Sequence, residues 1–105
     1  MEFKGKSFSI EIWHDINESM LQDIEFHLTY KGQKYFGWAF TIAKINEVMS
    51  NHKKSGESFH GAYFWVSGLI ILEEITIDHL MSSISDLISD GSVVIEDVFV
   101  KINDE

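Results

Sequence analysis

The chain has 105 residues, 45% of them hydrophobic, with no cysteine and no proline. That length suits one domain over residues 1–105, able to hide roughly two-thirds of its unfolded surface, and the missing cysteine excludes disulfides, thiolate catalysis and cysteine-based zinc sites. A net charge of −9 repels phosphate backbones and anionic lipids, which argues against direct binding of nucleic acid or of a membrane surface.

The charge is uneven. Residues 1–54 hold seven Lys and seven acids, whereas residues 55–105 hold one Lys and ten acids. The whole excess therefore lies in the C-terminal half, where it serves solubility or attracts a basic partner. The start Met1-Glu2-Phe3-Lys4-Gly5-Lys6 lacks an apolar signal core. The apolar stretch from Ala62 to Leu72 is broken by Ser67-Gly68 and falls short of the roughly 20 residues that a membrane span needs. A cytoplasmic protein is expected.

In chain order, Ser7 to Trp13 alternates, with Phe8, Ile10 and Ile12 on one face, as in a half-buried strand. Ile24, Phe26, Leu28 and Tyr30 repeat the pattern before a turn at Lys31-Gly32-Gln33-Lys34, which predicts a hairpin. In its returning strand Phe36, Trp38 and Phe40 share one face, while Gly37 and Ala39 leave the other low enough for a close neighbour. Thr41 caps a helix with apolar positions Ile42, Ile45, Val48 and Met49, and Gly56 stops it. Ala62–Val66 and Leu69–Leu72 then predict two short strands or one bent strand, the second of them central in the sheet.

Thr76 caps the clearest helix, with Ile77, Leu80, Met81, Ile84, Leu87 and Ile88 on one stripe and Gly91 past its end. Val98, Val100 and Ile102 predict a final strand, with a short segment at Val93-Val94-Ile95 before it. The expected fold class is α+β: a mainly antiparallel sheet of about five to six strands with two helices packed on it, in the order βββαββαβ. Without proline, exposed edges must be guarded by charge, by bulges or by a partner, and pairing of edges between copies is one route to a homo-oligomer.

Chemical motifs are sparse. The histidines at 14, 27, 52, 60 and 79 include no HExxH and no i, i+4 pair, so no metal is expected. Glu73 and Glu74 precede a helix N-terminus, where carboxylates favour the dipole, and on a continuing strand they point to opposite faces rather than acting as a pair. There is no nucleophile elbow, no Ser-x-x-Lys and no phosphate-binding loop, so neither an enzymatic role nor a cofactor is expected. The aromatics of Phe59-His60-Gly61-Ala62-Tyr63-Phe64-Trp65 read chiefly as core, with Tyr63 and Trp65, or Phe64 alone, able to face outward as anchors for a partner.

One stripe opposite the apolar face of the second helix carries Asp78, Asp86 and Asp90, and Glu96 and Asp97 follow it. These five carboxylates are the candidate partner-binding residues. An alternative is a small enzyme or small-molecule-binding domain with a sheet–helix pocket built on His60, Glu73 or Glu74.

Tyr35-Phe36-Gly37-Trp38, a capped helix, Phe64-Trp65-Val66 and Leu69-Ile70-Ile71-Leu72-Glu73-Glu74 before an amphipathic helix give a layout over residues 24–103. It resembles small bacterial immunity proteins encoded beside contact-dependent growth inhibition and other polymorphic toxins. The resemblance implies an inhibitor that binds a cognate toxin domain, commonly a nuclease, in the cytosol of the producing cell. No functional residue is carried over from it. A basic toxin surface would meet the acidic stripe with complementary charge.

Overall fold

The computed structural model describes residues 1–13 and 21–103, so His14 lies outside it. The elements are β1 (Glu2–Lys4), β2 (Phe8–Glu11), β3 (Asp23–Tyr30), β4 (Gln33–Phe40), α1 (Ile42–Ser55), α2 (Glu57–Gly61), β5 (Leu69–Ile71), α3 (Ile77–Ser89), α4 (Ile95–Val98) and β6 (Val100–Ile102). The fold is α+β, with a six-stranded and mainly antiparallel sheet.

The β3–β4 hairpin is the centre of the sheet. Lys31 and Gly32 both take positive φ, 50° and 76°, which gives the two-residue turn whose twist matches the strands it joins. The register then sets Ile24, Phe26 and Leu28 opposite Ala39, Gly37 and Tyr35. All six face one side and are buried. The close neighbour over Gly37 is aromatic: a Cβ there would lie 2.5 Å from the Phe26 ring and 2.9 Å from the Phe99 ring. Those two rings meet edge to face at 5.5 Å. From the other layer Leu80 and Ile84 of α3 enter the same core.

Thr41 and Thr76 both cap as their positions imply, accepting from the backbone N–H of Lys44 at 3.2 Å and of His79 at 3.1 Å. Gly56 ends α1 in the left-handed region. Gly91 does not do the same for α3. That helix stops at Asp90, whose carboxylate accepts from the Ser92 backbone N–H at 2.9 Å and its hydroxyl at 2.7 Å. The side chain thus closes its own turn and competes with further helix.

The structure departs from the expected order βββαββαβ and from the expected strand placement, and α2 is one element that was not expected. β1 is an added strand, paired antiparallel with β2; its charged sequence offers only Phe3 to the core. Ala62–Val66 is not a strand, Val93-Val94-Ile95 forms no strand segment, and a helical turn over Ile95–Val98 makes the final strand start at Val100 instead of Val98. Leu69–Leu72 is not central either. Its strand is three residues long at the border of the sheet, parallel to β4, with Ile71 exposed.

That border is divided. β4 pairs through Lys34, Tyr35 and Phe36 with β6, and through Trp38, Ala39 and Phe40 with β5. β5 runs parallel to β4 and β6 antiparallel to it, so the two share one strand position and part from each other at Gly37.

Candidate partner-binding site

The second face of the sheet is aromatic. Because strand side chains alternate, burying Tyr35, Gly37 and Ala39 turns Phe36, Trp38 and Phe40 to the other side. Ring contacts run without a break from Trp13 to His27 (4.5 Å), Phe36 (6.1 Å), Trp38 (5.6 Å), Phe40 (5.6 Å) and Phe64 (5.6 Å, stacked). Edge-to-face pairs at such spacing add roughly 0.5–1.5 kcal/mol each beyond burial. Leu69, Ile71 and Val100, in register with Trp38, Phe40 and Phe36, extend the same face across the border strands.

α2 leads into this row. Ser58, Phe59 and His60 take φ of 51°, 51° and 59° with ψ of 49°, 53° and 37°, close to the ideal left-handed helix. Gly56 and Gly61 on either side also have positive φ, 87° and 77°. For L-residues this conformation costs roughly 1–2 kcal/mol each, and strain of that kind gathers at sites of recognition. Close docking on α1 fixes the turn, since a Cβ on Gly61 would lie 2.3 Å from the Met49 carbonyl oxygen. The result is presentation: Phe59 is 78% exposed, Tyr63 58% and Trp65 76%. Core packing, the main expectation for this segment, is not met: Phe64 is half-buried on the aromatic face, stacked on Phe40, and the other three rings stand outside because a left-handed turn and a loop replace the expected strand.

Where β5 and β6 part, the segments leading into them enclose an open cleft of about 660 Å³. Phe64, Trp65 and Leu69 border it on one side; Glu96, Asp97 and Val100 border it on the other. Two of the five candidate carboxylates therefore sit beside the exposed tryptophan. Glu96 also borders the neighbouring hollow with Tyr35. There burial first, then the charge of Glu96 and the nearby Tyr30, push the Tyr35 phenol above its ordinary pKa.

Asp78, Asp86 and Asp90 are exposed on α3. The buried face of that helix meets the core side of the sheet, so these three carboxylates point away from the aromatic row, on the opposite side of the molecule. Asp90 is already engaged by Ser92, whose hydroxyl first and backbone N–H second hold its pKa below the ordinary carboxylate value. Asp86 borders shallow hollows shared with Ser82, where the one aromatic neighbour, Phe8, is buried. The structure thus separates the five acids into two groups.

His60, Glu73 and Glu74 are exposed, and none borders the cavities beside β5, β6 and α3. Glu73 lies 3.9 Å from Nε2 of His79, whose Nδ1 is 2.8 Å from the capping Thr76 hydroxyl. This is a local cluster at a helix start. Among the described residues no group of three or more His, Asp or Glu side chains is placed to hold a metal ion, and no helix is long and apolar enough to cross a membrane. The chain matches no protein-family model, no curated protein and no solved structure.

Proposed function

We propose that this chain is an inhibitor of the immunity type, which binds a cognate toxin domain with a basic surface, a nuclease first among the candidates, in the cytoplasm of the cell that makes it. The observation that carries the reading is the exposure of Phe59, Tyr63 and Trp65 on one strained segment beside a cleft bordered by Glu96 and Asp97. Exposed large rings cost solubility in a free protein, while Trp and Tyr dominate the energetics of protein interfaces. Carboxylates at the rim, with −9 overall, speed the approach of a basic partner and reject acidic ones. The resemblance of residues 24–103 to immunity proteins is the reason for choosing a toxin domain as the partner.

The test is capture of partners by the tagged chain from its native lysate at low salt, followed by co-expression of the captured protein with the chain in a sensitive host. One stoichiometric basic partner, released by salt and made harmless by co-expression, is expected. A monodisperse chain with no partner, or a captured protein whose toxicity is unchanged, overturns the reading.

A further inference from the structure

We propose that the cleft between β5 and β6 receives an arginine side chain of the partner protein, with the Trp65 ring and the Asp97 carboxylate recognising its guanidinium. This rests on the partner-binding reading above and specifies the chemistry of the partner at one site.

The cleft follows from topology. Two chain segments converge on the middle of β4 and leave it in opposite directions, so no strand fills the space in front of the point where they part. Here the walls differ along their depth. Phe64, Leu69, Val98 and Phe99 supply apolar surface, whereas Trp65 and Asp97 are largely solvent-exposed. Among the described residues the Asp97 carboxylate has neither an ion-pair nor a hydrogen-bond partner.

An occupant must match an apolar channel with an aromatic face and a carboxylate at its mouth. An acidic or phosphorylated group is refused by Glu96, by Asp97 and by the overall charge. A purely apolar side chain leaves the carboxylate without a partner. Lysine carries a compact, strongly hydrated ammonium, but arginine joins an aliphatic stem to a planar, weakly hydrated cation that stacks on rings and pairs with a carboxylate through two N–H groups. Lys101 also borders the cleft. In register with Tyr35, it lies on the core side of the sheet, by the hollow that Glu96 shares with it. No ion pair joins Lys101 to Glu96 or to Asp97 among the described residues, so both carboxylates stay available to a cation.

The test needs no partner. The full chain, labelled with nitrogen-15, is titrated with the blocked tripeptide acetyl-glycyl-arginyl-glycinamide and with its lysyl and citrullyl counterparts. Amide shifts confined to residues 64–69 and 96–101 are expected, strongest for arginine and absent for citrulline. Asp97→Asn and Trp65→Leu, both at exposed positions, should keep the spectral dispersion of the folded chain while weakening the arginine response roughly fivefold each. Shifts centred on Asp78, Asp86 and Asp90, responses in both variants as strong as in the unaltered chain, or no saturable shift with any peptide overturns the proposal. Its failure is separable from that of the inhibitor reading. Arginine binding in the cleft without any toxin partner sinks only the latter; a captured toxin held equally well by both variants sinks only the former.

Discussion

At the scale of the residue, the left-handed turn is where stability and recognition pull apart. Ser58, Phe59 and His60 hold positive φ without the freedom of glycine, so Ser58→Gly should relieve strain of roughly 1–2 kcal/mol while adding about 0.5–1 kcal/mol of unfolded-chain entropy. A net gain of up to about 1.5 kcal/mol in chemical denaturation is expected. Phe59→Ala, by contrast, removes a ring that is 78% exposed and should leave the denaturation midpoint unchanged while weakening partner capture. Asp90 gives a second test. Its two bonds from Ser92 depress its pKa, so it favours the folded state above the unfolded carboxylate value and loses that effect as pH falls through its own lower one. Ser92→Ala should move the Asp90 carboxyl titration, followed by carbon-13 NMR, back toward the ordinary range. The same substitution should narrow the difference in stability between neutral and acid pH.

At the scale of the element, local chemistry was legible and long-range placement was not. Thr41, Thr76 and the Lys31-Gly32 turn act through atoms within a few residues of themselves, which is why the hairpin and both long helices could be read from sequence. β1 and the border position of β5 depend on what lies beside them in space, and nothing in Glu2–Lys4 or Leu69–Ile71 encodes that. An apolar run of four residues reads alike in the centre of a sheet and at its border when, as here, it faces a row of rings. The site divides the same way. Clustered rings between Gly56 and Trp65 point to an anchor segment, but three consecutive left-handed L-residues leave no compositional trace, so the strand pattern alone places Phe59 with the core. Gly37 was readable as a place of close approach. Its β4 position sits beneath Phe26 and Phe99 with no room for a methyl group, and Gly37→Ala should cost roughly 1–3 kcal/mol by overpacking. A melt of that variant checks it, with Gly32→Ala as a contrast in which only the backbone is strained, since nothing lies within 4 Å of its added carbon.

At the scale of the molecule, the sheet has one side closed by α3 and another whose rings run to the solvent. The radius of gyration, 14.7 Å, exceeds the roughly 13 Å expected for a compact chain of this length. α1, with no buried residue, extends beyond the core instead of closing over it. The two groups of acids then separate experimentally. Reversing Glu96 and Asp97 to Lys should slow association with a basic partner and reduce its dependence on salt, whereas reversing Asp78 and Asp86 should act only through net charge and much more weakly. Stopped-flow association rates across a salt series decide between the two faces; equal effects would return the interface to α3. The divided border carries a further consequence. β4 owes its outer hydrogen bonds to two short segments that lie about 30 residues apart along the chain, as Trp38 donating to Gly68 on one side and the Phe36–Val100 pairing on the other illustrate. Each segment can unzip while the other stays fastened, so the two halves of one strand should exchange their amide hydrogens on separate clocks. A guest wedged between them would slow both clocks together.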